Sequence, residues 1–425
     1  MDLLLKNIGI ISPGDNLKGI FDLYIKDGII EKIGSMDSGM YENVLDCTGL
    51  TAVPGFFDMH VHFRDPGQTE KEDIDSGIQS AANGGFTGVL CMPNTRPSID
   101  NKEIINYIRE KSKGKITDVY VSACASKQRA GDEIADLNEL YEAGAVALTD
   151  DGSPLLNAEV LRKTLEFTAS HNIPFLQHAE NYKISGNGAI HKGKVSAKMN
   201  IEGIPYESET ETVRNDVTAA NSIQGSKYHV QHLSCGETVD ILREAKERNK
   251  NITSEACPHH FILTDEAIVK EGTNAKMNPP LRENSDVEKI LSGLADGTID
   301  VICTDHAPHT SAEKARNIYD APFGIVGLET CIGLTYKYLV ERNIISFEKM
   351  VEKMSDNPRR ILNIPRISIK EGEIANLTIL RRDEEWVVDA EKFKTKSRNT
   401  PFNGFKLKCK PYAVINNNIM HKSVL

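Results

Sequence analysis

The sequence predicts a (β/α)₈ barrel flanked by a smaller β-rich domain. Eight strand-like runs alternate with helix-like segments in the middle of the chain, and short strand-like runs with turns occupy both ends. Alternating β and α units are typical of a parallel barrel with its helices outside. Histidine and aspartate residues follow several of the strand-like runs, at the barrel end where functional side chains gather.

The alternation covers residues 55–365. The strand-like runs lie at residues 60–63, 89–94, 119–126, 145–150, 174–178, 228–232, 252–261 and 300–305. Helix-like segments lie at residues 72–85, 101–112, 157–171, 209–223, 236–249 and 285–297. The span exceeds the roughly 250 residues typical of this fold, which leaves room for long loops.

Residues 1–54 and 366–425 are predicted to pair into one β-sandwich domain. Each segment alone is too small to form a core, which disfavours the alternative of two independent small domains. Lys26-Asp27-Gly28 and Asn403-Gly404 are turn signals that fit hairpins within these segments.

Composition limits the class of protein. Of the 425 residues, 40% are hydrophobic and 26% are charged, as in soluble globular proteins. No apolar run reaches the roughly 18 residues of a membrane span, and the first residues lack the basic region of a signal peptide. Eight cysteines without CxxC spacing indicate reduced thiols and a cytoplasmic protein. The net charge of −11 argues against binding to nucleic acid or anionic membranes, but not against a small anionic substrate.

Six potential metal ligands follow the strand-like runs. His60 and His62 stand two residues apart, so on a strand they point the same way and can hold one ion. The other candidates are Asp151, His178, His232 and Asp305. Four imidazoles and two carboxylates exceed one tetrahedral zinc site and suit two ions that share a bridging carboxylate.

Some neighbouring residues leave alternatives open. Asp150 competes with Asp151 for the bridging position because the two are adjacent. His229, His259 and His260 are each interpreted as structural histidines. Arg64 follows His62 by two residues, so on a continuing strand it would face the same cavity, where its planar guanidinium suits a carboxylate.

Nine motifs resemble those of the class I dihydroorotases, within the cyclic amidohydrolase superfamily. They are DMHVHFRDPG, MPNT, LTDDG, QHAE, HVQHLS, KMNPPLR, TDHAPH, APFG and SRNTPF, and they run nearly end to end. The resemblance implies reversible, zinc-dependent hydrolysis of dihydroorotate to N-carbamoyl-aspartate, in de novo pyrimidine synthesis. The alternatives are a hydantoinase or allantoinase, or a catalytically inactive homologue, which the filled ligand positions disfavour.

The resemblance also implies a role for each site residue. One zinc would be held by His60, His62 and Asp305, and the other by His178 and His232, with Asp151 bridging the two. Asp305 would also transfer the proton. The substrate contacts it implies are Arg64, Asn94 and Asn278 for the carboxylate, His309 for the ring, and the backbone of Phe323 and Gly324. The sequence leaves open whether residues 310–321 form a lid or a plain loop. It also leaves open a homodimer, or docking on aspartate transcarbamoylase.

Overall fold

The computed structural model describes residues 1–425 and contains two large sheets. The strands are β1 (Asp2–Ser12), β2 (Leu17–Lys26), β3 (Ile29–Gly34), β4 (Val44–Asp46), β5 (Thr51–Pro54), β6 (Phe56–Val61), β7 (Phe86–Cys91), β8 (Asp118–Ala123), β9 (Ala147–Leu148), β10 (Phe175–Gln177), β11 (Ile190–His191), β12 (Gly203–Ile204), β13 (Tyr228–Val230), β14 (Ile252–Ala256), β15 (Val301–Ile302), β16 (Leu377–Arg381), β17 (Trp386–Val387), β18 (Lys406–Leu407), β19 (Lys410–Asn416) and β20 (Ile419–Lys422).

The α-helices lie mostly between the strands of the barrel. They are α1 (Ile74–Gly84), α2 (Lys102–Ser112), α3 (Leu137–Glu142), α4 (Ala158–His171), α5 (Tyr182–Ser185), α6 (Lys194–Met199), α7 (Glu207–Ser222), α8 (Gly236–Arg248), α9 (Pro258–Ile262), α10 (Ala267–Glu271), α11 (Asn284–Asp296), α12 (Ser311–Lys314), α13 (Cys331–Thr335), α14 (Phe347–Val351) and α15 (Asn357–Ile361). None of these helices has the length and apolar character needed to cross a membrane.

Eight parallel strands form the predicted barrel. Their order is β6-β7-β8-β9-β10-β13-β14-β15, and each neighbouring pair is parallel. The barrel closes where Val61 pairs with His306 and the His62 N–H donates to the His306 carbonyl at 2.9 Å. Every residue of β7 is buried, as expected for a strand covered on both faces. The predicted fold class is therefore confirmed.

The outer helices follow the predicted pattern closely. Helices α1, α2, α4, α7, α8 and α11 correspond to the six predicted segments, with ends within two residues of those predicted. Side-chain caps fix several starts: the Asp73 carboxylate accepts from Ser76 N, and the Asn101 amide oxygen accepts from Ile104 N. The short helices α5, α6, α10 and α12 belong to the long loops and have no predicted counterpart. The strand-like run at residues 252–261 is wrong in its second half, because β14 ends at Ala256 and α9 follows it.

Both terminal segments join one mixed sheet. Its order is β20-β19-β16-β5-β1-β2-β3, with β4 paired to β1, so β16 brings the C-terminal segment against β5 of the N-terminal segment. The division at residues 54 and 366 stays a prediction. It is supported by the change of sheet between β5 and β6, which only Gly55 separates.

One hairpin prediction is right and one is wrong. Asp27 and Gly28 connect β2 to β3 with φ of 49° and 81°, the left-handed pair of a tight hairpin turn. Asn403-Gly404 forms a turn, but β18 after it pairs with the more distant β17. The tight hairpin of the tail is instead Asn417-Asn418 between β19 and β20, because asparagine also tolerates positive φ.

Candidate active site

The six predicted ligands meet at the carboxyl ends of the barrel strands. His60 and His62 lie at the end of β6, Asp151 follows β9, His178 follows β10, His232 follows β13 and Asp305 follows β15. All six are buried, with exposed fractions of 6% or less. The structure therefore brings together every residue that the sequence proposed as a ligand.

Asp151 lies at the centre of this cluster. Its Oδ1 is 3.4 Å from His60 Nε2 and 3.5 Å from His232 Nε2, and its Oδ2 is 3.5 Å from His62 Nε2. Its neighbour Asp150 is occupied elsewhere, since the Asp150 carboxylate accepts from the N–H groups of Ala125 and Ser126. Of the two aspartates, only Asp151 reaches imidazoles on both sides.

The remaining distances define two adjoining groups. Asp305 Oδ1 lies 2.9 Å from His62 Nε2 and 3.5 Å from His60 Nε2. On the other side of Asp151, His178 Nδ1 lies 3.0 Å from His232 Nε2. Asp151 thus lies between two groups of side chains. One group is His60, His62 and Asp305, and the other is His178 and His232.

These atoms could hold metal. His60 Nε2 and Asp151 Oδ1 are buried, face each other and have no hydrogen-bond partner. Buried polar atoms without partners are costly, and a cation between them would satisfy both. Imidazole nitrogens and carboxylate oxygens are also ligands that zinc accepts.

Further hydrogen bonds fix which ring nitrogen faces the cluster. His60 Nδ1 contacts Glu255 Oε1 at 2.6 Å, and His178 Nε2 contacts Glu180 Oε2 at 3.1 Å. A carboxylate accepts, so each of these nitrogens carries the proton and leaves the other nitrogen free for a metal. Burial by itself would raise the pKa of Glu255 and Glu180, yet the neighbouring imidazoles lower both to about 2.

Sequence reasoning missed Glu180 and Glu255 as supports of the ligands. Glu180 stands two residues after His178 within the motif QHAE, which is a signal that could have found it. Glu255 lies 195 residues from His60 in the sequence, so no local pattern connects the two.

A cavity of about 330 Å³ opens onto the cluster. Besides ligands, all six predicted substrate residues line it: Arg64, Asn94, Asn278, His309, Phe323 and Gly324. Gly324 has φ of 118°, and a Cβ at this position would lie 2.6 Å from the Ala307 Cβ. This part of the wall therefore requires glycine.

Arg64 reaches the cavity by a different route from the one predicted. Strand β6 ends at Val61, and Arg64 has φ of 59°, so the expected continuation of the strand is wrong. The turn nevertheless directs its guanidinium to the cavity, where it has no carboxylate within 4.0 Å and Nε donates to the Pro308 carbonyl. Burial lowers the pKa of Arg64 to about 10, so it stays charged near neutral pH.

The two asparagines differ in what they can offer a ligand. Asn94 Oδ1 accepts from His62 Nδ1 at 2.8 Å, which leaves its amide N–H groups without a protein partner. Asn278 Nδ2 donates to Glu180 Oε2 at 2.8 Å, so only part of its donor capacity remains. Asn94 is therefore the freer donor to an anion in the cavity.

His309 is a neutral imidazole on the cavity wall. Its Nε2 donates to the Phe323 carbonyl at 2.8 Å. Burial, followed by the nearby Arg64, Lys71 and Lys314 charges, holds the pKa of His309 well below its usual range. His309 can thus offer hydrogen bonds without adding charge.

The three histidines interpreted as structural lie close to the cluster, but none lines the cavity. His229 Nδ1 is 2.8 Å from Thr253 Oγ1 and its Nε2 is 3.2 Å from Glu255 Oε2, inside the barrel. His260 Nε2 donates to the Pro279 carbonyl at 2.9 Å, and His259 is buried beside it.

Comparison with known proteins shows which family this chain resembles. A family profile described as "Dihydro-orotase-like" matches residues 49–238. The Dihydroorotase of Clostridioides difficile (strain 630) is 42% identical over 423 residues, covering 99% of this chain and 100% of that protein. The Dihydroorotase of Citrifermentans bemidjiense is 41% identical over 426 residues, covering all of both chains.

The similar solved structures are more distant in sequence. The L-hydantoinase (dihydropyrimidinase) from Arthrobacter aurescens aligns with a TM-score of 0.86 and 22% identity, over 99% of this chain and 96% of that one. The dihydropyrimidinase from Brevibacillus agri also gives 0.86, with 21% identity, over 100% and 95% of the two chains. At this identity, the similarity establishes the fold alone.

Proposed function

We propose that this chain, which belongs to the dihydroorotase family, interconverts (S)-dihydroorotate and N-carbamoyl-L-aspartate in de novo pyrimidine synthesis. The observation that carries the proposal is a buried arginine, Arg64, with no carboxylate partner, beside a two-group ligand cluster in one cavity. Dihydroorotate offers what the cavity would bind: a cyclic amide to cleave and a carboxylate on the ring.

Two zinc ions per chain are the proposed cofactors. His60, His62 and Asp305 would hold one, His178 and His232 would hold the other, and Asp151 would bridge them. When bound, such ions supply Lewis acidity that polarises an amide carbonyl and makes a water molecule acidic near neutral pH. The orphaned, facing atoms of His60 and Asp151 support this assignment.

Asp305 is the proposed proton carrier. Its Oδ1 lies 2.9 Å from His62 Nε2 within the same ligand group, while no protein group donates to its Oδ2. Asp305 also lines the cavity, so Oδ2 can take a proton from an attacking water and deliver it to the departing ring nitrogen. In ring closure the same oxygen would act in the opposite order.

The other cavity residues would orient the substrate. Arg64 and the free amide of Asn94 would hold the ring carboxylate, with Asn278 contributing a further donor. The backbone of Phe323 and Gly324 and the neutral His309 would lie along the ring. A hydantoinase or allantoinase would have no use for a buried arginine at this position, because its substrates carry no ring carboxylate.

The proposal is tested by metal analysis combined with assays on four substrates. Purified chain should carry close to two zinc ions and should act on dihydroorotate far better than on hydantoin, allantoin or 5,6-dihydrouracil. Preference for an uncharged ring would assign the chain to the hydantoinase type of activity. Two metals with no activity on any of the four would contradict the proposed reaction altogether.

The cellular compartment of the chain and its assemblies with other chains are also proposed. All eight cysteines are free and buried, which supports a reducing compartment such as the cytoplasm. A homodimer and a complex with aspartate transcarbamoylase are the proposed assemblies. Mass measurement in solution, with and without that enzyme, would test both.

A further inference from the structure

Two buried lysines beside the cavity have no acidic partner. Lys276 is 2% exposed and Lys314 is 5% exposed, yet neither has a carboxylate oxygen within 4.0 Å. A buried ammonium group is costly unless its charge is compensated, so such residues need a reason to be retained. The contacts of the two side chains supply one.

Both lysines donate only to backbone carbonyls. All but one of these carbonyls belong to residues 319–324, and the remaining one is that of Lys276. Lys276 Nζ donates to the carbonyls of Tyr319 at 3.2 Å and Ala321 at 2.5 Å. Lys314 Nζ donates to Pro322 and Gly324, each at 3.0 Å, and to the Lys276 carbonyl at 3.4 Å. Residues 319–324, here called the ring-edge segment, thus have four of six carbonyls held by these two side chains.

The ring-edge segment ends in the stretch of cavity wall at residues 322–324. Within it, Phe323 O accepts from His309, Gly324 N donates to Lys276 O, and Gly324 O accepts from Lys314 and Asn399. Pro322 has no N–H, and its carbonyl accepts from Lys314. The Phe323 N–H is therefore the only polar backbone group of this wall without a protein partner.

We infer that Lys276 and Lys314 are positioning residues that hold the ring-edge segment so that the Phe323 N–H meets the substrate ring. Lys276 Nζ also lies 4.2 Å from the centre of the Phe323 ring, which fixes the side chain of the same residue. The inference rests on the proposed function, since the ring is that of dihydroorotate. It assigns a role to two residues that contact neither metal ligands nor substrate.

The charge environment agrees with this role. Burial lowers the pKa of Lys276 to about 8, and burial together with the charge of Lys276 lowers that of Lys314 to about 7. The nearest acids, Asp320 and Glu313, offset only part of this, and Glu313 is itself paired with Lys71 at 2.8 Å. The carbonyls of the segment thus accept from two ammonium groups that no ion pair satisfies.

Lys353 provides a matched control. It is 1% exposed, its Nζ donates to the Ile299 carbonyl, and burial lowers its pKa to about 8. Ile299 precedes β15, at the barrel end opposite the cavity. Lys353→Met therefore removes the same kind of buried lysine from a place that substrate does not reach.

The experiment compares Lys276→Met, Lys314→Met and Lys353→Met in the full-length, zinc-loaded protein. The first two should raise the KM for dihydroorotate roughly 2–10-fold, the size of losing the neutral hydrogen bond from the Phe323 N–H, with a smaller change in kcat and unchanged zinc content. Lys353→Met should keep the wild-type KM while lowering thermal stability.

Three outcomes separate the possibilities. If Lys276→Met and Lys314→Met keep the wild-type KM and lose only stability, as Lys353→Met should, the inference is overturned. If either methionine variant fails to fold, the corresponding glutamine variant is measured instead. Glutamine keeps a hydrogen-bond donor, so its KM should lie between those of the wild type and of a variant without the donor. A wild-type KM in the glutamine variant overturns the inference as well. Wild-type protein inactive on dihydroorotate would refute the proposed function, not this assignment alone.

Discussion

Replacing Arg64 with methionine should remove the recognition of the substrate carboxylate while leaving the metal cluster intact. Arg64 lines the cavity, is 8% exposed and has no acidic side chain within 4.0 Å, so a bound carboxylate would be the only acid in contact with it. A hydrogen bond to a charged group is worth about 1.5–3 kcal/mol, or roughly 10–150-fold in kcat/KM. If the contact is bidentate, or if the Asn94 amide N–H groups are left unpaired, the loss in kcat/KM should lie in the upper part of this range.

The assay compares kcat/KM for dihydroorotate and for uncharged 5,6-dihydrouracil, with zinc content measured in the same preparations. Activity on dihydrouracil should start low and change little in Arg64→Met. Arg359→Met is the matched control, because Arg359 is 4% exposed, donates to the Gly55 carbonyl at 2.8 Å, and has its pKa lowered by burial to about 10, as Arg64 has. Equal loss on both substrates, or loss of zinc, would show that Arg64 supports the metal cluster instead.

Four further predictions follow from the site. Asp151→Ala should lose zinc and activity together, and full occupancy in that variant would move the bridge to Asp150 or elsewhere. Asp305→Asn should keep part of its zinc but lose ~10²–10⁴-fold in kcat; near-normal turnover would rule out its proton transfer. Glu255→Gln should weaken zinc binding roughly 10–100-fold in equilibrium dialysis, since Glu255 orients His60; unchanged affinity would contradict that role. Ring closure takes up a proton, because the open product has two carboxylates and the ring has one. The equilibrium ratio of N-carbamoyl-aspartate to dihydroorotate should therefore increase about tenfold for each unit by which the pH rises near neutrality. A ratio independent of pH would mean a different substrate pair.

The fold was largely predictable because its signals are local and repeated. Each buried parallel strand is a short apolar run, and each outer helix has polar and apolar faces at helical spacing. The lengths of the strands were less predictable: β9 and β15 are two residues each, although the apolar runs around them are longer. Strand length depends on ladder partners far away in the sequence, which a local pattern does not contain.

The sequence predicted the residues that line the candidate site. It did not predict the residues that hold them in place through hydrogen bonds. Every proposed ligand and substrate residue lines or adjoins one cavity, because all of them follow strands of one barrel. The choice between Asp150 and Asp151 needed the structure, since adjacent residues share one sequence context and differ only in what they contact. Glu255, Lys276 and Lys314 were missed because their partners lie on other loops or strands.

Three residues of the site have positive backbone φ, which the sequence does not show. Arg64, His232 and Asp305 have φ of 59°, 27° and 47°, a region that bulky residues such as arginine seldom occupy. Each of the three lines the cavity, one as the proposed carboxylate contact and two as proposed ligands. Such conformations persist where surrounding contacts enforce them, and here they turn the chain sharply at strand ends.

The distribution of charge explains how an acidic protein can hold an anion. The chain carries a net charge of −11, which repels anions in general. Around the cavity, however, Arg64 is a buried cation that no carboxylate contacts, whereas the acids Asp151 and Asp305 face the proposed metal ions. Charges at contact distance in a poorly solvated cavity outweigh surface charges that lie beyond the Debye length of about 8 Å at physiological salt. The local field, and not the net charge, therefore decides which substrates this cavity accepts.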